Sequence, residues 1–459
     1  MRGKIFTVKM TDLTNDGAGI GRIAELNNIA VFTDGALPGD LCEIKIIKAN
    51  KSYAYGELIK IIEPSPDRVN PVCRASEKCG GCALQSLSYE AQLKLKRKIT
   101  VDCLERIGGI KNARVCETIG MDEPYNYRNK AQFPVKRNKR DLSKTDIGFY
   151  SRRTHDVINI KSCAISHGIS SQVIQVFRDY FERNENGNIV YDEIAHTGII
   201  RHIFIRTGFK TGEIMVCIVA ANLAAAESLP DYERLIGGLK KINGIASVIL
   251  NINPDRTNVI LGKTNKLLYG RDYILDYISD KKFKISVNSF YQINPVQTEK
   301  LYAKALEFAR VGKDYACVDA YCGIGTIALI FAPFVKKIYG VEIIEQAILD
   351  ARENAALNNI TNAEFIAGKS EQVIPELVRR EHIDLTIVDP PRKGCDSRLL
   401  EAIISAGIKK LIYISCNPAT LARDIKILVA GGYKLREVQP VDCFPHTMHV
   451  ENIVLLQKE

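Results

Sequence analysis

The 459-residue chain contains no tryptophan and only seven histidines. Any stacking on a nucleic-acid base must therefore use Phe, Tyr, His or Arg. A long hydrophobic run is also missing, which excludes a membrane-spanning helix and a membrane partner. The first residues, Met1-Arg2-Gly3-Lys4, pass straight into alternating, strand-like sequence. That predicts no secretion leader and a cytoplasmic protein. The cysteine count is not that of a disulfide framework. Thirteen thiols, an odd number in a large chain, favour reduced cysteines with metal or catalytic uses.

What is present is ordinary in bulk and uneven in detail. Hydrophobic residues make up 46% and charged residues 25%, the balance of a multidomain globular chain with ample core. The net charge is +10, which weakly favours a polyanionic partner. Its distribution is more telling. Residues 1–63 hold eight basic and eight acidic residues, whereas Ala91 to Arg153 holds 16 Lys/Arg against 7 Asp/Glu. A concentrated basic stretch is the electrostatic footprint of a nucleic-acid binder, although a solvated surface would look the same.

Residues 1–63 read as short strands at Ile5–Met10, Ile29–Thr33, Cys42–Ile47 and Tyr55–Ile62. Asp16-Gly17-Ala18-Gly19-Ile20-Gly21 reads as a turn. Several short strands with regular turns predict a small OB-like barrel, a common nucleic-acid binder. Glu63-Pro64-Ser65-Pro66-Asp67-Arg68 is a linker. Residues 70–285 read as a central mixed α/β domain. Within it, Ala91–Gly108 is a basic amphipathic helix with Leu95, Ile99, Cys103 and Ile107 on one face. The basic helical segment 91–124 is expected to pack on the catalytic domain that follows. Pro124-Tyr125-Asn126-Tyr127-Arg128-Asn129-Lys130 and Lys136-Arg137-Asn138-Lys139-Arg140 interleave aromatics with cations, which suits RNA phosphates and unstacked bases.

Cys73-x5-Cys79-x2-Cys82 encloses Gly80-Gly81, so a loop can fold tightly round something small. A four-thiolate site needs one more ligand, and Cys163 is the candidate. All-thiolate sites suit zinc or an iron–sulfur cluster, and spacing alone does not separate the two.

Residues 286–459 alternate strand and helix and predict a doubly wound parallel sheet. Gly323-x-Gly325-x-x-Ala328 follows a strand, and Glu342 ends the next one. This matches a dinucleotide fingerprint, so a nicotinamide-dependent oxidoreductase competes at this point. S-Adenosylmethionine shares the ribose that such an acid would bind. Asp389-Pro390-Pro391-Arg392 then places a carboxylate at a strand end on a stiff turn. Leu411 to Ser415 is a strand that stops at Asn417-Pro418, leaving Cys416 where ligands bind in open α/β sheets. Glu451 precedes the closing strand. A methyl donor, a thiol and a carboxylate point to methylation of carbon 5 of uracil. The thiolate adds to carbon 6, carbon 5 takes the methyl, and a base removes the carbon 5 proton so that the thiol can leave.

Taken together, these motifs resemble bacterial RNA uracil-5-methyltransferases, the group that makes 5-methyluridine in 23S ribosomal RNA and transfer RNA. The likeness covers nearly the whole chain. It implies a TRAM barrel over residues 1–63, a Rossmann-like class I methyltransferase domain over 286–459, and a four-iron–four-sulfur cluster on Cys73, Cys79, Cys82 and Cys163. Ser289-Phe290-Tyr291-Gln292-Ile293-Asn294 resembles the motif whose Gln touches the donor. The resemblance thus implies Gln292, Tyr321, Glu342 and Asp389 as S-adenosylmethionine-binding residues, Cys416 as nucleophile and Glu451 as base. Thr326 and Lys369 depart from some members at donor-contacting positions. Barrel and cluster together favour 23S ribosomal RNA over transfer RNA as the partner, acted on by a monomer. A non-catalytic RNA-docking factor is the alternative from another class.

Overall fold

The computed structural model describes residues 2–184, 189–223 and 229–458. The chain divides into two compact units. The first comprises residues 1–95, 150–156 and 444–448, and the second 96–149, 157–443 and 449–459.

The first unit is built on a closed barrel. Its strands are β1 (Ile5–Leu13), β2 (Gly19–Ile23), β3 (Ile29–Thr33), β4 (Leu41–Ala49) and β5 (Tyr53–Glu63), in the order β1-β2-β3-β5-β4. Alternate residues point inward, so Val8, Met10, Ile23, Val31, Ile44 and Ile46 form its core. One expectation is corrected here: the glycine-rich stretch is not all turn, because Gly19 to Ile23 is a strand. The glycines are there for close approach. A Cβ on Gly21 would lie 2.4 Å from Val8 Cγ1, which a narrow closed barrel cannot admit. Asp40 ties the linker to the barrel. It accepts from Leu37 N at 2.7 Å, from Ser65 N at 2.8 Å and from the Arg68 guanidinium. Burial pushes its pKa up, but Arg68 and the two amides more than offset this and hold the carboxyl below its usual value.

The helix Tyr89–Arg106 departs from its apolar reading. Its fully buried positions include Gln92, Lys96 and Thr100, while Ile107 is exposed. Lys96 forms a wholly buried ion pair with Asp442, and Thr100 donates to Asn452 Oδ1 at 2.8 Å. The face that counts is polar because its partners are polar. They lie about 350 residues away in the sequence, beyond the reach of any periodicity argument.

The second unit contains two seven-stranded sheets. One consists of β6 (Lys130–Arg137), β7 (Thr145–Tyr150), β8 (Val157–Asn159), β9 (Ile200–Thr207), β10 (Ile214–Ala220), β11 (Ile245–Ile252) and β12 (Thr264–Gly270), in the order β12-β11-β10-β9-β6-β7-β8. Strands β9 and β10 are buried along their whole length. A hairpin, β13 (Tyr273–Ile278) and β14 (Lys281–Ser286), leads to the second sheet.

That sheet comprises β15 (Ala316–Asp319), β16 (Lys337–Glu342), β17 (Ala363–Ala367), β18 (Leu385–Val388), β19 (Lys410–Ser415), β20 (Tyr433–Val441) and β21 (Glu451–Lys458), in the order β17-β16-β15-β18-β19-β21-β20. Strands β15 to β19 pair in parallel, as the strand–helix alternation predicts. The sheet is not parallel throughout, however. β21 enters antiparallel between β19 and β20. Polarity patterns do not encode strand direction, so this feature was not visible in the sequence. No described helix is long and apolar enough to cross a membrane.

Candidate active site

Cys416 and Glu451 come near one another because of β21. The β19–β21 ladder ends at Ser415↔Asn452. Cys416 and Glu451 are the residues that follow this last pair on either strand. They are near enough for the Glu451 carboxylate to act on the Cys416 thiol. The antiparallel strand starts where the parallel one stops, and both side chains therefore stand at the carboxyl edge of the sheet.

Several features fix Cys416. Pro418 begins the next helix, Pro418–Ala430, and the Asn417 side chain caps it by accepting from Ala419 N at 3.1 Å. Asn417 Nδ2 donates to Arg392 O at 3.0 Å and Thr420 Oγ1 to the same carbonyl at 3.2 Å. The turn that follows β18 is thereby laced to the Cys416 turn. Burial, Glu451 and Asp389 push the thiol up to about 11, while Arg392 and a local backbone N–H oppose them. At rest the sulfur is a protonated thiol.

The carboxyls are perturbed in the same direction. Burial first, then Asp389, raises Glu451 to about 8, with Arg392 opposing. Asp389 keeps part of its surface open to the crevice, and burial raises it to about 7. Asp319, at the end of β15, is buried and raised to about 8 by burial, Asp389 and Glu342. Its Oδ2 accepts from Ala328 N at 3.1 Å, and its Oδ1 has no partner among the described residues. Four acids, Glu451, Asp389, Asp319 and Glu342, thus act on one another in series, a potential that a cationic ligand would relieve.

The donor-binding candidates surround that crevice. Glu342 ends β16 and its Oε1 accepts from Ile344 N at 3.0 Å. Gln292 lies in the loop before the helix Pro295–Ala309, and Asn129 Nδ2 holds its carbonyl at 2.8 Å. Its Nε2 donates to Tyr302 Oη at 3.5 Å, and Tyr302 Oη meets Thr326 Oγ1 at 3.3 Å. Tyr321 packs on the core of the sheet, and its hydroxyl reaches toward Cys395. The loop between them needs glycine. Gly323 and Gly325 have φ of +52° and +85°. A Cβ on Gly323 would meet nothing within 4 Å, whereas Gly325 lies against the Phe365 ring. One glycine is thus open on the ligand side and the other is packed from behind. An unpartnered buried carboxylate oxygen, an open backbone cradle and a surplus of acids all fit S-adenosylmethionine, whose sulfonium is positive.

The thiolate centre fares differently. None of Cys73, Cys79, Cys82 and Cys163 is in a disulfide, and that donor set suits an all-thiolate site. Among the described residues no three His, Cys, Asp or Glu side chains are gathered as metal ligands. Cys79 Sγ instead accepts from Gly81 N at 3.4 Å, and Cys73 N donates to Gln85 Oε1 at 3.1 Å. No step below runs through a cluster.

Three residues of the site were not singled out in the sequence. Arg392 stands in the quoted Asp-Pro-Pro-Arg turn, and its charge was the available signal. Asp319 is an acid at a strand end before the glycine loop, which was a signal too. Tyr302 is a helix residue with no local signal at all. His449 is also defined here. Its Nε2 lies 3.2 Å from Arg392 Nη2, and burial, Arg392, Lys96 and Arg128 lower its pKa to about 4. The imidazole is neutral, so Nε2 accepts from the guanidinium. His446 does structural work within the first unit, donating its amide N–H to Gln92 Oε1 at 2.9 Å.

A parallel sheet with one inserted antiparallel strand, a glycine cradle and an acid-rich crevice at its carboxyl edge define a methyltransferase of the Rossmann-like type. The comparisons with known proteins make this specific. Residues 256–459 match the tRNA (uracil-5-)-methyltransferase family and residues 1–59 match the TRAM domain. An uncharacterized RNA methyltransferase of Clostridium tetani is 46% identical over 99% of this chain and 96% of its own. One from Bacillus cereus is 46% identical over 100% of this chain and 97% of its own. The chain belongs to this family of RNA uracil-5-methyltransferases, which depend on S-adenosylmethionine. The crystal structure of Pyrococcus abyssi tRNA (uracil-54, C5)-methyltransferase, in complex with S-adenosyl-L-homocysteine, superposes with a TM-score of 0.77 at 27% identity. It covers 98% of this chain and 100% of that one.

Proposed function

We propose that the protein methylates carbon 5 of uridine in 23S ribosomal RNA through a covalent enzyme–RNA intermediate. The observation that carries this reading is that Cys416 and Glu451, just beyond the last β19–β21 pair, lie near enough for the carboxylate to act on the thiol, with Asp389 and Arg392 in the same field.

S-Adenosylmethionine, bound by Gln292, Tyr321, Glu342 and Asp389, supplies an electrophilic methyl group. The protein supplies the rest. The Cys416 thiol loses its proton to solvent, Arg392 favouring the thiolate, and the thiolate adds to carbon 6 of the uracil. The electron pair moves onto carbon 5 and the O4 carbonyl. Once carbon 5 carries the methyl, Glu451 takes its proton, the ring is restored and the sulfur leaves as thiolate. Arg392 favours the anionic forms of both groups, and His449 holds its guanidinium in place.

The choice between RNA classes rests on experiment. A barrel does not by itself select ribosomal RNA, since a tRNA-acting enzyme matches nearly the full length of this chain. Radiolabelled donor offered with 23S ribosomal RNA and, separately, with transfer RNA decides the matter. Label in the first alone supports the proposal, and label in transfer RNA alone replaces it. No transfer, with RNA binding intact, makes the protein a docking factor. The cluster implied by the family resemblance is a separate proposal that carries no step of the reaction.

A further inference from the structure

We infer that Lys130 and Arg206, paired on one face of the central sheet, form an anion site for a phosphodiester of the RNA strand next to the reacting uridine. The inference rests on the function proposed above and adds a place for the backbone of that substrate.

Lys130 on β6 and Arg206 on β9 are direct partners in the antiparallel ladder. They therefore share a face and lie side by side, an arrangement in which like charges repel. On its other side Arg206 faces Met215, which supplies no counter-charge. Arg206 is 3% exposed. Its Nη2 donates to Ser289 O at 3.0 Å and to Val287 O at 3.4 Å. Nε and Nη1 have no acceptor among the described residues, so three of the five guanidinium N–H bonds are unused. Burial first, then the charges of Arg206 and Arg128, lower Lys130 to about 8. Every charged group acting on that ammonium is another cation. A buried like-charge pair with idle donors is costly and makes sense where a ligand brings the negative charge. A guanidinium fork matches the oxygens of a phosphate.

The position suits the nucleotide side of the reaction. Between Arg128 and Lys130, Asn129 donates its amide N–H to Ile293 O at 2.9 Å and its side chain to Gln292 O at 2.8 Å. Both carbonyls that Arg206 holds belong to the same segment. Arg128 acts on Lys130 and also on His449, and His449 meets Arg392 beside Cys416. The cations thus lead in series from the sheet to the nucleophile.

The test uses full-length protein carrying Lys130→Gln or Lys130→Arg. Binding of a 23S ribosomal RNA transcript is measured at several salt concentrations, and binding of S-adenosylhomocysteine by calorimetry. For Lys130→Gln, the slope of log affinity against log salt should fall by about 0.7–0.9, the loss of one phosphate contact. Lys130→Arg should keep the wild-type slope, and neither variant should change S-adenosylhomocysteine affinity. The melting temperature of Lys130→Gln should equal or exceed that of wild type, because a repulsion is removed. An unchanged slope overturns the inference. So does a loss of S-adenosylhomocysteine affinity with the slope intact, which would assign the cations to the donor's carboxylate. Wild-type protein that binds RNA without transferring methyl refutes the catalytic reading, while the slope still decides this site. Wild type that binds no RNA sinks both.

Discussion

Replacing Glu451 by Gln should separate the two halves of the reaction. The side chain is 9% exposed and β21 fixes it, so the isosteric amide keeps the packing and removes the base. Loss of a positioned general base costs about 10²–10⁴ in rate, and turnover should fall by that much. Adduct formation should not fall with it. The thiol is held near 11, in part by the Glu451 carboxylate itself. Roughly one sulfur in 10⁴ is then ionised at neutral pH, and each added pH unit multiplies that fraction about tenfold. Because the thiol is raised, ionisation is favoured by base, and removing a neighbouring anion shifts it toward lower pH. At any given pH the variant should therefore form its covalent complex at least as fast as wild type. The assay is a single turnover with labelled donor and ribosomal RNA, read on a denaturing gel from slightly acidic to alkaline pH. A methylated protein–RNA band should accumulate in proportion to enzyme, with little free product. If the band and turnover vanish together, or product is released at the wild-type rate, Glu451 is not the base and the register argument loses its chemical meaning.

Other outcomes follow from the same geometry. Arg392→Gln removes a charge that favours both the thiolate and the Glu451 carboxylate. Adduct formation with 5-fluorouridine-containing RNA should slow by about tenfold for each unit gained in thiol pKa and recover at higher pH. A slowing that is the same at every pH would place the arginine elsewhere in the mechanism. Lys96→Met strands the Asp442 carboxylate in a fully buried position and should destabilise the protein by about 3–5 kcal/mol in denaturant titrations. Adding Asp442→Leu should return most of that loss, and a double variant no better than the single would mean that the pair is not coupled. Iron and sulfide analysis of anaerobically purified protein tests the cluster implied for Cys73, Cys79, Cys82 and Cys163. About four iron per chain is expected, and zinc in its place, or no metal, refutes it.

The sequence exposed the chemistry more fully than the geometry that assembles it. Cys416 was legible as a thiol at a strand end because Asn417-Pro418 stops a strand locally. Ile29–Thr33 was legible from its apolar, β-branched run. The direction of β21 was not, since a strand has the same alternation whichever way it runs. Nor was the burial of Lys96, whose partner lies 346 residues away, or the Lys130–Arg206 pair, which exists only in a register. Gly19 and Gly21 misled because glycine signals both turns and tight approach, and only the closed barrel chooses between them. Tyr302 was missed because its importance comes from Gln292 and Thr326, two neighbours in space that are distant in sequence.

The insertion of β21 between β19 and β20 also makes catalysis conditional on one strand. The residues proposed to hold the donor, Gln292, Tyr321, Glu342 and Asp389, all lie outside that strand. Should that strand fray, the molecule would still hold its methyl donor, yet thiol and carboxylate would have lost each other. Mild heat or denaturant would then yield a protein that is loaded but silent, and the gap between loss of turnover and loss of donor affinity would measure how firmly this one ribbon is seated.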